Sequence, residues 1–179
     1  ELEIVYERRP FDGTLADLDL ILSPGIGGVD DLVVVTGSDR PTDAQLKWGA
    51  LVAQAVGHRL GFRIPAIRHE VARPSGGEGV VESPAARLDP DLVGQADAIL
   101  VGTLDEIGDV LTLSRPDVDT AYLEIGPSPA DPTRFVLVAT GPTEADVDRA
   151  VTALGLMTFP FADSPHASIE RIDLPEGFI

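Results

Sequence analysis

One local pattern occurs three times in the chain, and it restricts the possible folds more than any other feature. Each copy has a continuous apolar run, a turn of small residues, and a Thr three positions before Gln, Glu or Asp. The apolar runs are Leu32–Val35, Ala98–Val101 and Phe135–Ala139. Such runs are typical of strands covered on both faces, and the Thr spacing is that of a capping box at a helix start. Three such units predict an α/β domain with parallel strands and right-handed crossovers.

The helices that follow the first and third runs each show one apolar stripe. The stripes are Trp48, Leu51, Val52, Ala55 and Val56 after Thr42, and Val147, Ala150, Val151 and Leu154 after Thr143. A shorter helix is predicted after Thr103, running through Val110 and Leu111. Gly61 and Gly155 are expected to end the two long helices. Trp48, the single tryptophan, is predicted to pack in the core.

Further strands complete the predicted sheet. Ile64–Val71 is expected to pair in parallel with the first strand, and residues 73–90 are expected to form a surface loop. Ala121–Ile125 is predicted to pair antiparallel with the third strand, because the connection between them is too short for a helix. Residues 168–172 are predicted to form an edge strand. The result is a three-layer α/β domain, flavodoxin-like or Rossmann-like, with a mostly parallel sheet of about five strands and one antiparallel strand at an edge.

The chain divides into three predicted regions. Residues 1–31 hold a short strand at 2–7 and a turn-rich linker or a loop wrapped over the domain. Residues 32–156 form the flavodoxin-like α/β domain. Residues 157–179 form a C-terminal tail with the edge strand. Because the sequence opens with Glu1 in strand-like sequence, we expect a unit cut from a longer protein.

Charge and composition exclude several classes of function. The chain has 30 acidic and 13 basic residues, a formal net charge of −17, so binding to nucleic acid or to anionic membrane surfaces is not expected. It has no cysteine, which excludes disulfides, thiolate zinc sites, iron–sulfur clusters and a cysteine nucleophile. No apolar run approaches about 18 residues, so direct membrane insertion by this piece is not expected.

Candidate ligand turns follow the three repeated strands, at the sheet edge where α/β folds bind their ligands. They are the turns at Gly37, Gly102 and Gly141, each leading into a helix N-terminus that attracts anions. None of them has the spacing of a known phosphate-binding loop. The glycines are better explained by tight strand-to-helix turns.

Markers of catalysis and of metal binding are missing from the sequence. His58, His69 and His166 lie in separate segments, without the spacing of a metal site. There is no Gly-x-Ser-x-Gly elbow, and Asp105 with Glu106, like Asp89 with Asp91, is explained as a pair of helix-start acids. We therefore predict no catalytic residue, no metal and no cofactor. Near the C-terminus, Phe159, Phe161 and Phe178 are expected to fix the tail to the sheet or to contact a neighbouring domain.

Four segments together resemble a known family. They are Asp31–Val35, Gly57–Phe62, Ala96–Thr103 and Phe135–Leu154. They resemble the α/β modules of the B-type regulatory protein of bacterial cellulose synthase. That family is extracytoplasmic and membrane-anchored, and it alternates carbohydrate-binding jelly rolls with flavodoxin-like domains. The resemblance implies no catalytic residues for these α/β modules.

The functional hypothesis follows from this resemblance to cellulose-synthase-B-like proteins. We predict a non-catalytic structural or interaction module that supports synthesis or export of an extracellular polysaccharide. The resemblance implies an extracytoplasmic (periplasmic or cell-surface) location, with anchoring through a segment outside this chain. Its expected partners are other domains of the parent chain, a membrane synthase subunit and the polysaccharide. The alternatives are a domain that binds a nucleotide or flavin at the glycine turns, and an accessory α/β domain of a glycoside hydrolase.

Overall fold

The computed structural model describes residues 9–22, 31–36, 41–60, 66–71, 96–107, 113–115, 117–156, 161 and 163–173. Several predictions from the sequence lie outside these residues. They are the strand at 2–7, the loop at 73–90, the turn at Gly37, the helix stop at Gly61, the stretch through Val110 and Leu111, the acids Asp89 and Asp91, and Phe159 and Phe178.

One six-stranded sheet organises the described residues, in the order β2-β1-β3-β5-β4-β6. The strands are β1 (Asp31–Thr36), β2 (Ala66–Val71), β3 (Asp97–Val101), β4 (Ala121–Pro127), β5 (Phe135–Thr140) and β6 (His166–Ile169). Strands β2, β1, β3 and β5 form a parallel set, in which Val34 pairs with His69 on one side and with Ile99 on the other. The α/β class and the mostly parallel sheet are thus confirmed.

Strand β4 runs against its neighbours, and its place corrects one prediction. It pairs antiparallel with β5, as expected from the short connection between them. The reversed strand is not at the edge, however, because β6 pairs antiparallel with its other side, with Tyr122 opposite Ser168. The C-terminal segment does supply the edge strand, at His166–Ile169 rather than residues 168–172. A period-2 pattern identifies a strand but not the neighbour on its far side, which explains the error.

Two long helices follow β1 and β5, as predicted. They are α2 (Asp43–Leu60) and α4 (Glu144–Gly155), whereas a 3₁₀ turn (Leu15–Asp17), α1 (Leu18–Ile21) and α3 (Leu104–Ile107) are short. The stripes of α2 and α4 bury Trp48, Val52 and Val151 in one core with Val34, Ile99 and Leu137 of the sheet. Fully burying a side chain of this size stabilises the fold by about 1.5–3 kcal/mol.

The opposite face of the sheet has a second apolar cluster. Successive strand residues point to opposite faces, so Val33, Leu100 and Val138 lie on this side, where Ile107 of α3 joins them. Strands β3 and β5 are buried along their whole length on both faces. This explains why their sequences are continuous apolar runs rather than alternating ones.

The N-terminal segment belongs to the same core as the long helices. Leu15, Leu18 and Leu22 are buried in the cluster that contains α2 and α4. The Phe11 ring also packs against Phe135 at the amino end of β5, with 5.6 Å between ring centroids. This segment is therefore packed against the sheet, and Phe161 from the C-terminal tail packs against the same cluster.

A buried guanidinium group connects three helices. Arg59 near the end of α2 pairs through Nε with Asp19 of α1 at 2.8 Å, and its Nη1 donates to Leu154 O of α4 at 2.8 Å and to Ala55 O at 3.2 Å. Leu154 lies in the last turn of α4, where carbonyl groups have no partner within the helix. Arg59 thus satisfies one of these carbonyls and places a positive charge at the negative end of the helix dipole.

Candidate functional site

The carboxyl edge of the parallel strands carries three helix starts. α2, α3 and α4 begin after β1, β3 and β5, which places the turns between these strands and helices on one edge of the sheet. Each start has the side-chain contact predicted from the Thr spacing. Thr42 N donates to Gln45 Oε1 at 2.9 Å, Thr103 N to Glu106 Oε2 at 2.7 Å, and Thr143 N to Asp146 Oδ2 at 3.2 Å.

Glu106 fills the turn after β3. Its carboxylate accepts hydrogen bonds from Thr103 N at 2.7 Å and from Thr103 Oγ1 at 3.1 Å. A Cβ at Gly102 would lie 2.9 Å from Glu106 Oε2 and 3.3 Å from Glu106 Cβ. A side chain at position 102 would therefore displace the Glu106 carboxylate from its place in the turn.

The turn after β5 is closed in the same way. Asp146 accepts hydrogen bonds from Thr143 Oγ1 at 2.6 Å and from Arg149 Nη1 at 2.9 Å. The hydrogen bond from the Thr143 hydroxyl is the main reason why the pKa of Asp146 is lowered, so the group is ionised at neutral pH. A Cβ at Gly141 would overlap Asp146 Cβ and lie 3.3 Å from Thr120 O. A carboxylate of the chain itself thus occupies the positive end of α4.

A hydrogen bond crosses the point where the strand order reverses. β1 has β2 on one side and β3 on the other, and in doubly wound sheets the crevice at such a reversal is the usual place for a ligand. Here Gln45 of α2 donates from Nε2 to Glu106 Oε1 of α3 at 2.6 Å. Gln45 is buried, with an exposed fraction of 3%. The side chains of the chain itself therefore join the two helix starts that flank the reversal.

The turns at the strand ends are also held to one another by backbone hydrogen bonds. Gly102 N donates to Ala139 O at 3.3 Å, and Leu104 N donates to Gly141 O at 3.0 Å. Two of the three candidate ligand turns are thus neighbours. In these contacts the backbone groups of the turns form hydrogen bonds with other parts of the same chain.

Trp48 joins α2 to α4 rather than presenting a binding surface. Its side chain is in the core, with an exposed fraction of 1%, which confirms the predicted packing role. The indole Nε1–H donates to Asp148 Oδ1 at 2.6 Å, and Lys47 Nζ lies 2.7 Å from Asp148 Oδ2. An indole without an exposed face cannot stack on a sugar ring.

A second polar cluster lies where β4 meets the edge strand. Tyr122 Oη donates to Glu124 Oε2 at 2.8 Å, and Ser114 N donates to Glu124 Oε1 at 3.0 Å. The His166 ring stacks on Tyr122 with 6.2 Å between centroids. Burial raises the pKa of Tyr122 to about 12, so the phenol is protonated and donates its hydrogen bond at neutral pH. The cluster fastens residues 113–115 to the sheet.

The other candidate residues remain scattered in the structure. His58 is exposed on α2 and His166 is exposed at the start of β6, while His69 lies in β2. Asp105 and Glu106 occupy the first turn of α3, as expected of helix-start acids. In the part of the chain that the structure describes, no group of three or more His, Asp or Glu residues is placed to hold a metal ion.

Sequence reasoning missed two parts of these clusters. It identified the capping residues within each helix start but not the Gln45–Glu106 hydrogen bond between two of them. It also assigned no role to Tyr122 or Glu124. The alternation in β4 does place both side chains on one face, two residues apart, and this was the available signal.

These features define a class of protein: an α/β domain whose turns after β3 and β5 are closed by the chain's own polar side chains. The comparison with protein families gives the family. The model for "Cellulose synthase BcsB, first FD domain" matches residues 31–169, which is more than half of the chain, and the chain belongs to this family. No curated protein matches the chain. Among the described residues, no helix combines the length and the apolar character needed to cross a membrane.

Proposed function

We propose that this domain is a non-catalytic structural or interaction module of a cellulose synthase regulatory subunit. It acts outside the cytoplasm and supports the synthesis or export of the polysaccharide, within a parent protein anchored to the membrane by another segment. Its fold is a three-layer flavodoxin-like arrangement, in which the two long helices form one outer layer. Its partners are other domains of the parent chain, a membrane synthase subunit and the polysaccharide.

The observation that carries the proposal is the closure of the turns after β3 and β5. Glu106 and Asp146 accept hydrogen bonds from Thr103 N and Thr143 N, so these donors are not free for a phosphate group. A second anion would also meet the negative charge of both carboxylates. These contacts favour a scaffold over the alternative of a domain that binds a nucleotide or flavin at Gly102 and Gly141. The family match does not favour an accessory domain of a glycoside hydrolase.

Ligand binding gives the first test. The purified chain is heated with flavin mononucleotide, with nucleoside mono- and diphosphates, and with cello-oligosaccharides, and the unfolding midpoint is recorded. We expect shifts under about one degree for the flavin and nucleotides, because the turns that would bind them are closed. By contrast, a bound ligand present at a hundred times its dissociation constant would stabilise the fold by about 2.7 kcal/mol and shift the midpoint by several degrees. A shift of that size with the flavin or a nucleotide, or turnover of a nucleotide, ester or glycoside, would refute the proposal.

Glucan synthesis by the parent protein in its complex gives the second test. Leu137→Asp places a charge in the buried strand β5 and is expected to unfold the domain and reduce polysaccharide output. The matched control is Leu20→Asp, which makes the same change at a side chain that is 74% exposed. Unchanged output with Leu137→Asp, at normal levels of the parent protein, would remove the supporting role.

A further inference from the structure

Basic side chains in this acidic chain are engaged by Asp carboxylates. The ion pairs are Lys47–Asp148, Arg59–Asp19, Arg134–Asp97, Arg149–Asp146 and Arg171–Asp173, with N–O distances between 2.6 and 3.6 Å. The chain has 30 acidic residues and 13 basic ones, with a formal net charge of −17. Even if every basic residue were paired with one carboxylate, more than half of the carboxylates would have no countercharge from the chain itself.

Exposed carboxylates without a basic partner among the described residues line the carboxyl edge of the parallel strands. They are Asp43, Asp105 and Glu144 at the starts of α2, α3 and α4, Asp117 and Asp119 before β4, and Glu170 after β6. The start of β4 lies at this edge because β4 runs against β5. The end of β6 lies there too, since Ile169 pairs with Ala121. Five neighbouring strands thus each have an unpaired carboxylate at the same edge.

The spacing of the strands brings these charges within range of one another. Neighbouring strands in a sheet lie about 4.8 Å apart, so five strand ends span about 20 Å. At an ionic strength of about 0.01 M the Debye length is about 30 Å, and the charges along the whole edge repel one another. At about 1 M the Debye length is about 3 Å, and this repulsion is screened. Self-repulsion among like charges destabilises the compact state of a protein.

Salt also weakens the attractive ion pairs, but the structure makes this the smaller effect. The side chains of Arg59 and Arg134 are largely buried, and buried pairs are screened much less than exposed ones. The Arg171–Asp173 pair is exposed on both sides, so it contributes little to stability even in dilute salt. The net effect of added salt is therefore to remove repulsion from the folded chain.

We propose that the fold has a built-in dependence on ionic strength, in which dissolved cations of the medium supply the countercharge for the acidic edge. The carboxylates are spread over five strand ends and are not gathered around one point, so the cations form a diffuse layer over the edge. The domain is accordingly most stable in salt-rich water and loses stability when the salt is diluted. It is suited to a medium of high ionic strength.

Thermal unfolding of the chain in KCl at pH 7 tests the dependence, with Trp48 fluorescence and far-UV circular dichroism as probes. Between about 0.01 M and about 1 M salt we expect the unfolding midpoint to rise by several degrees. Neutralising three carboxylates of the edge together, by Asp117→Asn, Asp119→Asn and Glu170→Gln, is expected to raise the midpoint in dilute salt and to reduce the rise.

The matched control keeps the charge at the same three positions, by Asp117→Glu, Asp119→Glu and Glu170→Asp, and is expected to show the full rise. KCl is used because sulfate and other strongly excluded salts stabilise folded proteins in general. A midpoint of the unchanged chain that does not rise with KCl would overturn the proposal. An equal rise in the neutralised and charge-keeping variants would also overturn it, because the salt would then act on something other than these carboxylates.

The identity of the cation separates a diffuse layer from a bound ion. Tetramethylammonium is too bulky to be held between carboxylate oxygens, but it screens charge as K⁺ does. We therefore expect tetramethylammonium chloride and KCl at the same concentration, up to about 0.3 M, to raise the midpoint equally. A rise with KCl that tetramethylammonium chloride fails to reproduce would show that a bound cation stabilises the fold, and this would contradict the diffuse layer.

Discussion

Arg59 and Asp19 form an ion pair whose two members have very different surroundings. The side chain of Arg59 is 2% exposed and that of Asp19 is 65% exposed. Removing the carboxylate by Asp19→Asn deletes an attraction that water already screens, so we expect a loss of about 0.5 kcal/mol in the free energy of unfolding.

Removing the guanidinium group has a larger effect. Arg59→Met keeps most of the apolar stem but deletes the donors to Leu154 O and Ala55 O. Hydrogen bonds from a charged group contribute about 1.5–3 kcal/mol, and a buried carbonyl left without a partner adds a penalty. We therefore expect a loss of about 3 kcal/mol, a large share of the typical 5–15 kcal/mol stability of a domain.

Urea unfolding at pH 7 measures both losses, with Trp48 fluorescence and far-UV circular dichroism as the two probes. Equal denaturant slopes in the three proteins show that the same cooperative transition is being compared. A loss for Asp19→Asn as large as that for Arg59→Met would refute the reasoning, because it would show that the ion pair, and not the capping of α4, carries the stability.

Three further predictions use the same unfolding assay. Gly141→Ala is expected to lower the free energy of unfolding by about 2 kcal/mol, because the new Cβ overlaps Asp146. Gly49→Ala, where a Cβ meets no other atom, is expected to raise it by about 1 kcal/mol. A more stable Gly141→Ala variant would contradict the contact with Asp146. The pKa of Asp146 is lower in the folded chain than its ordinary value of 3.8. The contribution of the ionised carboxylate to the free energy of unfolding is therefore complete above that value and is lost as pH falls through the folded pKa. The stability difference between the unchanged chain and Asp146→Ala should therefore be constant between about pH 5 and 7 and shrink below about pH 4; an undiminished difference in acid would refute the assignment. A double-mutant cycle between Gln45→Ala and Glu106→Ala should give a coupling of about 1 kcal/mol, with Gln45→Ala and Asp146→Ala as the uncoupled control pair.

The parts of the fold that depend on local sequence could be predicted. Continuous apolar runs identified β1, β3 and β5, because these strands are covered on both faces. Thr143 with Asp146 identified the start of α4, where both reciprocal contacts of the capping box are formed. The short connection after β4 identified the antiparallel pairing with β5, since chain length alone decides it.

The parts that depend on distant residues could not be predicted. The position of β6 outside β4 depends on a pairing between segments more than 40 residues apart, as in the pair Ala121 and Ile169. Gln45 and Glu106 were each recognised as caps, but their hydrogen bond needs the order of strands in the sheet. Leu15 and Leu18 lie in a turn-rich stretch without clear periodicity. The local sequence therefore did not indicate that the tertiary fold buries them.

The place of β4 has a consequence for how the chain reaches this structure. β4, β5, α4 and β6 follow one another between residues 121 and 169 and lie side by side, whereas β1 and β3 are neighbours separated by a long stretch of chain. Closing a long loop costs more entropy than closing a short one, so local contacts form sooner. We expect this C-terminal hairpin, helix and strand to be the folding nucleus. Strand β3 then pairs with the free edge of β5, and β1 and β2 follow. The C-terminal part of the domain would then direct the folding of its N-terminal part, the reverse of the order in which they are synthesised.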